Sequence, residues 1–364
     1  MNQAFTVGFD AKRAFCNSSG LGNYARNHIR MMVSALSADR VVLFTSQIID
    51  LGFADEMKRA GVRILLPKSK SLFWRQFGMA KAITESGVTV FHALSPELPF
   101  GLRVPAVVTV HDTIAFDVPA YHSFWNGTAY RFKTKHAIKK ASMVVSVSHF
   151  TARRLEKMPV MQGKSAVVLH PVFISQAIGV KYPDKKHQPY FLYIGNLEAR
   201  KNLGALLEAF RLICKRIPHT LVLAGKDAGM RQSLEEFVKN MDLTGRVLFT
   251  GKITEEEKLG WLNACDALIY PSVLEGFGLP VLEGLHAQKP VITSRGTSME
   301  EAGGDCAVYV DPNQPEALAA AMMNVLENTG HRHTEDCTVQ LQQFSAGQLS
   351  PSWIGLYSLV ANRN

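Results

Sequence analysis

Short runs of apolar residues alternate along this chain with longer stretches in which apolar residues recur at every third or fourth position. The short runs predict buried β-strands, and the longer stretches predict amphipathic helices. Strands that alternate with helices are typical of α/β units built on parallel sheets. In the first half of the chain the predicted strands are 5–9, 41–45, 62–66, 88–92, 106–110, 143–147 and 166–169.

A polar segment, 175–188, interrupts this alternation and predicts an interdomain linker. A helix is predicted over 202–217, with Asn202 as its N-cap. The apolar stripe of this helix is Leu203, Leu206, Leu207, Phe210 and Ile213. The strands predicted after the linker are 190–194, 220–223, 247–250, 267–270, 290–293 and 307–310.

The two series of strands predict an α/β protein with two Rossmann-like doubly wound domains, 1–174 and 189–345. Ligands of such sheets bind beyond the carboxyl ends of the strands, so we expect the two sheets to face each other across a cleft. The end of the chain, 346–364, predicts a short amphipathic helix around 352–360. The polar stretch 328–336 is expected to be the least structured part.

Composition indicates the cellular compartment of the protein. No apolar run is long enough for a transmembrane helix, and the N-terminus lacks a secretory signal pattern. Five scattered cysteines without a Cys-x-x-Cys pair argue against a disulfide framework and against a zinc site. These observations favour a cytoplasmic protein.

The net charge of +9 is unevenly distributed. Residues 1–180 hold 22 Lys and Arg against 10 Asp and Glu, whereas residues 181–364 hold 18 against 21. A basic first half indicates an anionic partner, and we favour membrane lipid or a lipid phosphate over nucleic acid, because no nucleic-acid-binding module is visible. The alternative is a surface whose charge only aids solubility.

Basic and aromatic residues interleave in two segments, 68–77 and 130–140. Such segments can lie on an anionic bilayer, which would make the protein peripheral to the inner face of the plasma membrane. Alternatively, Phe73, Trp74 and Phe77 point into the core while Lys68, Lys70 and Arg75 are solvated. The sequence leaves both interpretations open.

The most informative stretch is 270–283, in which an apolar strand leads to Glu275, a turn and then Glu283. The turn is Gly276, Phe277, Gly278 and Leu279, followed by Pro280. Glycines permit close approach of backbone N–H groups to a ligand, and a helix N-terminus favours negative charge. The stretch therefore predicts an anion-binding turn between two carboxylates.

This stretch resembles the Glu-x7-Glu motif of the family 4 retaining glycosyltransferases, which have the GT-B fold. The resemblance implies that Glu275 contacts the hydroxyls of a donor sugar and that amides of residues 276–279 orient sugar and phosphate. It also implies that Glu283 accepts hydrogen bonds from the ribose and that the last helix returns to the first domain.

The loop 196–202 carries Arg200 and Lys201 just before a predicted helix, where two cations could neutralise a diphosphate. It resembles the family's Gly-x-x-x-x-Arg-Lys-Asn signature. Many relatives have proline in place of Ala199. Some have arginine in place of Asn196, and this second difference puts a third cationic contact in doubt, but not Arg200 and Lys201. Arg200 and Lys201 would stabilise the departing nucleotide.

In the first half, Gly20 and Gly22 belong to a glycine-rich stretch resembling the family's first loop, which closes over the diphosphate. The same spacing fits the dinucleotide fingerprint poorly, because no acid ends the second strand.

The family resemblance also places His111, which directly follows a strand, beside the donor sugar. It places the backbone of Ile253 near the base. His92 is interpreted as structural or on the acceptor side, and Asp112 as a turn cap.

The resemblance implies a metal-independent enzyme with no cofactor. It would move a hexose, with mannose from GDP-mannose favoured, from a nucleotide sugar to a hydroxyl of a glycan or lipid-linked acceptor, with retention. The sequence contains no Asp-x-Asp, which another glycosyltransferase fold uses to hold a metal. Polysaccharide or lipopolysaccharide assembly is the expected context. Alternatives are an epimerase or phosphorylase of the same fold, or a non-catalytic nucleotide-sugar-binding protein.

Overall fold

The computed structural model describes residues 5–17, 20–67, 73–121, 124–174, 179–184, 187–327 and 337–362. The chain forms two compact units. Unit 1 comprises Met1–Ile174 and Phe344–Asn364, and unit 2 comprises Ser175–Gln343. Lys68, Lys70 and the whole polar stretch 328–336 fall outside the described residues.

Unit 1 contains a sheet of seven parallel strands in the order β3-β2-β1-β4-β5-β6-β7. The strand order reverses between β1 and β4, so the switch point of this doubly wound sheet lies between these two strands. The strands are β1 Val7–Asp10, β2 Val41–Phe44, β3 Arg63–Leu65, β4 Val90–Ala93, β5 Ala106–Val110, β6 Met143–Ser146 and β7 Ala166–Val168.

The helices of unit 1 lie between these strands along the chain. They are α1 Lys12–Cys16, α2 Gly20–Leu36, α3 Leu51–Arg59, α4 Met79–Glu85, α5 Ile114–Asp117, α6 Phe124–Lys140 and α7 His149–Glu156. A π-helical turn, Trp74–Gly78, leads into α4. Asp112 closes the turn that leads into α5, because its Oδ1 accepts a 3.0 Å hydrogen bond from Ile114 N, as the sequence indicated.

Unit 2 repeats the pattern with six parallel strands in the order β10-β9-β8-β11-β12-β13. Its switch point lies between β8 and β11. The strands are β8 Tyr190–Ile194, β9 Thr220–Ala224, β10 Val247–Gly251, β11 Ala267–Tyr270, β12 Val291–Ser294 and β13 Val308–Val310. All thirteen predicted strands are confirmed, with ends displaced by at most two residues.

The helices of unit 2 are α8 Leu203–Ile213, α9 Arg231–Asn240, α10 Glu255–Ala264, α11 Leu279–His286, α12 Met299–Gly303, α13 Pro315–Glu327 and α14 Cys337–Gln342. The apolar stripe predicted for α8 is buried, but the helix ends at Ile213 rather than near 217. Asn202 occupies the N-cap position without capping through its side chain, because its backbone is left-handed (φ 56°) and its amide donates to Pro312 O instead.

The predicted C-terminal helix is α15, Ala346–Ala361, and it belongs to unit 1. The hydroxyl of its Tyr357 lies 2.8 Å from His28 Nε2 and 2.7 Å from His92 Nδ1. His92 also hydrogen-bonds Thr109 through Nε2, and it stacks on Trp353 of α15. His92 is therefore a buried packing residue of unit 1.

The described part of segment 175–188 packs against α10 of unit 2. Lys181 N donates to Glu256 O, and Lys181 Nζ lies 2.7 Å from Glu257. A Cβ on Gly260 would lie 2.0 Å from Lys181 O, so the two backbones touch at this glycine. Among the described residues, no helix is long and apolar enough to cross a membrane.

Candidate active site

The switch point of unit 2 brings two of the predicted loops together. The loop after β8 carries Arg200 and Lys201 in a 3₁₀ turn, and the loop after β11 carries Glu275. Val273 N donates to Arg200 O over 2.9 Å, which joins the loops through the backbone. Two segments about seventy residues apart in sequence therefore form one site, as expected for adjacent strand ends in a doubly wound sheet.

Glu275 is the centre of a polar cluster. Its Oε1 accepts hydrogen bonds of 2.5 Å from Arg200 Nη1, 2.5 Å from Lys201 Nζ and 2.6 Å from Ser272 Oγ. The hydroxyl of Tyr270 lies 3.3 Å from the same oxygen. Because all four described contacts end at Oε1, the second carboxylate oxygen keeps its acceptor capacity.

The cluster is nearly dry, with the side chains of Lys201 and Glu275 only 6% and 11% exposed. Burial alone would raise the pKa of Glu275, but Lys201 and Arg200 lower it to about 2. Burial lowers the pKa of Lys201 and is only partly opposed by Glu275. The neighbouring carboxylates raise the pKa of Arg200 above its usual value despite burial. Glu275 is thus held as a carboxylate between two cations.

Three residues that support this cluster were not singled out from the sequence. Ser272 Oγ contacts the Glu275 carboxylate and also lies 3.0 Å from Arg200 O. Ser298 Oγ donates to Glu275 O over 2.8 Å. The Tyr270 ring lies 4.8 Å beneath Lys201 Nζ. Ser272 and Tyr270 stand inside the recognised motif, so their proximity was a usable signal, whereas Ser298 gave none.

The turn between the two glutamates depends on Gly278. Its φ of +116° belongs to the left-handed region, and a Cβ there would lie 2.8 Å from Met299 Cγ. Glycine satisfies both constraints, so the chain can turn directly into α11. In the first turn of α11, Pro280 carries no N–H and Val281 N donates to Gly278 O over 2.9 Å, so the anion-binding prediction rests on the amides that precede Pro280.

Glu283 lies on α11 and is not part of the Glu275 cluster. Its Oε1 accepts a 2.7 Å hydrogen bond from Lys258 Nζ of α10. Lys258 also contacts Glu255, at 2.6 Å. Lys258 carries no signal in the sequence, because a lysine one turn after a glutamate is common on exposed helix faces. Ile253 lies in the loop between β10 and α10, directly before the N-cap Thr254.

The remaining predicted site residues lie in unit 1. Gly20 and Gly22 form the first turn of α2 rather than a loop, so the prediction of a loop is wrong for these two residues. Gly22 is buried, and a Cβ there would lie 1.8 Å from Asn17 O. Close packing of backbone on backbone therefore explains this glycine. Ser18 and Ser19 fall outside the described residues.

His111 directly follows β5 and is 9% exposed. Its Nε2 lies 2.8 Å from Leu94 O, which assigns the proton to Nε2 and leaves Nδ1 as an acceptor. Its ring meets Tyr24 edge-on at 4.5 Å. Burial lowers the pKa of His111 to about 4, so the imidazole is neutral near pH 7. Its assignment to the donor sugar stays a prediction.

Unit 1 also carries a surface with two adjoining cavities, which we call the aromatic-basic patch. One cavity of about 140 Å³ has a mostly apolar lining that includes Phe100 and Phe132. The other, of about 330 Å³, is lined by Arg103 and Lys140 among others. Both cavities share Leu98 and His136. Phe132 and the neighbouring Phe77 are each 62% exposed, and Phe77 stacks on Phe100. The patch consists of Phe77, Phe100, Arg103, Phe132, His136 and Lys140.

Both sequence interpretations of segment 68–77 were wrong about Arg75. Its guanidinium is buried and pairs with Asp10 and Glu97, at 2.5 Å each. Phe73 and Phe77 are exposed rather than in the core, whereas Trp74 packs against the core of unit 1. Arg75 therefore holds the strand ends of unit 1 together and is unavailable to a membrane.

Comparisons with known proteins fit this geometry. Residues 176–337 match the family described as "Glycosyl transferases group 1", and residues 19–176 match "Glycosyltransferase Family 4". An Escherichia coli protein named O-antigen chain mannosyltransferase B is 30% identical over 285 residues, which cover 74% of either chain. The chain belongs to glycosyltransferase family 4. It is a glycosyltransferase of the GT-B fold.

Two further comparisons place this family 4 glycosyltransferase among its relatives. The O-antigen chain mannosyltransferase RfbU of Salmonella typhimurium is 28% identical over 219 residues, 60% of either chain. Anabaena HepE, solved in complex with UDP and glucose, superimposes with a TM-score of 0.74 over 98% of this chain and all of its own. At 15% identity that likeness shows the fold alone.

Proposed function

We propose that the protein transfers a hexose, with retention of configuration, from a nucleoside diphosphate to a hydroxyl of a glycan or lipid-linked acceptor. The observation that carries the proposal is the cluster of Arg200, Lys201 and Glu275 at the switch point of unit 2, next to the N-terminus of α11. Such a site offers cations and amides for a diphosphate and a fixed carboxylate for sugar hydroxyls.

Arg200 and Lys201 bind the diphosphate in this proposal. Lys201 Nζ has three N–H groups, two of which reach Glu275 and Tyr270, so one remains for phosphate. Both cations are fixed before the donor arrives, which lowers the reorganisation needed when charge develops on the leaving nucleotide. The same electrostatic work makes a divalent metal unnecessary, and we expect transfer to continue in the presence of a chelator.

Glu275 orients the sugar. Its Oε1 is occupied by the cluster, and Oε2 accepts from sugar hydroxyls, while amides of residues 276–279 complete the contact. Glu283 accepts from the ribose. Since Glu275 is tied to two cations, it is a poor nucleophile, so we favour front-face substitution in which the leaving phosphate helps deprotonate the acceptor. Trapping of a glycosyl-enzyme adduct would contradict this mechanism.

The donor sugar is proposed to be mannose, and GDP-mannose the donor. This proposal is supported by the names of the relatives, which are O-antigen chain mannosyltransferases, and not by any contact in the site. The same names favour assembly of a cell-surface polysaccharide as the setting.

Calorimetric titration with GDP, UDP and ADP and with their sugar conjugates, in the presence of chelator, tests the donor site. We expect one nucleotide to bind, and Arg200→Ala to weaken its binding about 10-fold or more, as loss of a charge-assisted contact predicts. Arg211→Ala is the matched control, because it breaks the exposed ion pair with Glu208 on α8. Unchanged binding by Arg200→Ala would refute the assignment.

An activity assay with the nucleotide that binds separates the enzyme classes. Release of nucleoside diphosphate that requires an acceptor identifies a transferase. Consumption of the nucleotide sugar without an acceptor identifies an epimerase, and binding without turnover identifies a non-catalytic nucleotide-sugar-binding protein.

We further propose that the aromatic-basic patch lies on an anionic bilayer. Exposed rings and an apolar cavity suit lipid chains, and Arg103 and Lys140 suit the phosphates of the lipid headgroups.

Liposome co-sedimentation tests this proposal. The double variant Arg103→Glu with Lys140→Glu should no longer bind vesicles that contain anionic lipid. Arg59→Glu with Lys157→Glu makes the same charge change at other exposed sites of unit 1 and should preserve binding. Equal loss in both double variants would indicate a charge effect without a docking surface.

A further inference from the structure

Lys258 and Glu283 form a pair that the proposed roles do not explain. Lys258 Nζ lies 2.7 Å from Glu283 Oε1, and the two side chains are only 12% and 15% exposed. Burying a lysine beside one glutamate is costly unless the geometry is good, so this pair is more than a chance surface contact. Burial opposes the charge of Lys258, but Glu283 and Glu255 raise its pKa well above the ordinary value.

Both partners are held on rigid backbone. Lys258 follows a capping box in which Thr254 Oγ1 accepts from Glu257 N and the Glu257 carboxylate accepts from Thr254 N. Glu283 precedes Gly284, where a Cβ would lie 2.7 Å from Val291 and 2.8 Å from Leu268, so α11 sits directly on the sheet. The pair therefore has a fixed place relative to the loops around it.

The pair leaves part of Glu283 available. Among the described residues, Lys258 makes the hydrogen bond to the Glu283 carboxylate at Oε1, and Oε2 keeps its acceptor capacity. A carboxylate pinned at one oxygen presents the other in one orientation, which suits a vicinal diol better than a freely rotating carboxylate does.

We propose that Lys258 is a positioning residue for the donor nucleotide, which holds the Glu283 carboxylate in the orientation that accepts hydrogen bonds from the ribose diol. This inference rests on the proposed function, since it assigns Glu283 to the ribose. Lys258 itself does not touch the nucleotide, so its effect passes through Glu283.

The test compares two ligands in the full chain. Calorimetry measures the Kd of the nucleoside diphosphate that the wild type binds and of its 2′,3′-dideoxy analogue, for wild type, Lys258→Met and Lys258→Arg. We expect Lys258→Met to raise the Kd of the ribonucleotide about 10-fold and the Kd of the dideoxy analogue less than about 2-fold, because the effect requires the diol. Lys258→Arg should retain most of the affinity and also provides a second variant should Lys258→Met not fold.

Two controls sharpen the comparison. Lys181→Met breaks an ion pair with Glu257 of α10 at a side chain that is 70% exposed, and it should leave both Kd values unchanged. Adding Lys258→Met to a Glu283→Gln variant should cause little further loss of ribonucleotide affinity, as expected for two residues that act as a unit.

The outcomes are distinct. Equal weakening of both ligands by Lys258→Met would overturn the proposal, because it would indicate a general effect on the fold of the site. An unchanged ribonucleotide Kd would overturn it as well. If the wild type binds none of the nucleotides, the proposed function fails, and the role of Lys258 fails with it.

Discussion

At the scale of single residues, the charge of Glu275 is stabilised by Lys201 and Arg200, so the stability of the fold should depend on pH. Its folded pKa of about 2 lies below the ordinary value of 4.5, so its stabilising effect is complete above pH 4.5 and is lost as the pH falls towards 2. Between pH 4 and pH 3 this group should contribute a slope of about 1 kcal/mol per pH unit to the free energy of unfolding.

Urea denaturation at pH 3, 3.5 and 4 checks this expectation. Glu275→Gln should lower stability at every pH, because two buried cations lose their counter-charge, but its pH slope should be shallower than that of the wild type. Glu85→Gln, at an exposed ion pair with Lys81 on α4, is the control. Parallel slopes for wild type and Glu275→Gln would contradict the charged, buried cluster.

His111 makes a different pH prediction. Because burial lowers its pKa to about 4, it is neutral from pH 5.5 to 8 and adds no inflection to the rate profile of transfer in that range. If His111 lies beside the donor sugar, as the family resemblance predicts, His111→Ala should slow transfer by at least about 10-fold. Nucleotide affinity should stay unchanged, because His111 belongs to unit 1. A profile that loses an inflection near pH 6.5 in the variant would refute the neutral state.

At the scale of elements, the turn into α11 depends on one backbone conformation. Gly278→Ala would force a Cβ into left-handed backbone and against Met299, and should cost about 1–3 kcal/mol of stability and weaken nucleotide binding. Gly204→Ala on α8 is the matched control, since nothing lies within 4 Å of its added Cβ. That change should be neutral or stabilising by up to about 1 kcal/mol. Chemical denaturation with calorimetry distinguishes the two variants.

The last helix is tied to unit 1 by a buried hydroxyl. Tyr357→Phe would leave His28 Nε2 and His92 Nδ1 without that partner and should cost about 2–3 kcal/mol. Leu359→Ala, at a 51% exposed position of the same helix, should change stability by less than about 0.5 kcal/mol. A Tyr357→Phe variant as stable as the wild type would show that this bridge is unimportant.

At the scale of the whole molecule, unit 2 is one continuous segment and unit 1 is not, because unit 1 includes α15. The fragment 175–343 should therefore fold alone and bind the same nucleoside diphosphate as the full chain, with a Kd within about 10-fold. The fragment 1–174 should be unfolded or aggregated, because it exposes the surface that α15 covers. Circular dichroism and calorimetry on both fragments check this prediction, and a fragment 175–343 that folds without binding nucleotide would contradict it.

Local patterns in the sequence were enough to predict the strands and the loop that carries Glu275. Each strand is a short apolar run between polar turns, so period and length were enough to locate all thirteen, and the motif around Glu275 was visible because its residues are close in sequence. Helix ends were less certain, as α8 shows, because tertiary contacts such as Asn202 with Pro312 decide where a cap forms.

Contacts between distant segments could not be predicted from local patterns and became visible in the folded chain. Arg75 looked like a surface cation, but the strand ends of unit 1 place two carboxylates beside it. The Gly20 and Gly22 stretch looked like a loop, but the first turn of α2 packs on Asn17. Lys258 carried no local signal, because its partner Glu283 lies 25 residues away on another helix. Charge pairing and backbone packing depend on positions in space, which periodicity along a chain does not encode.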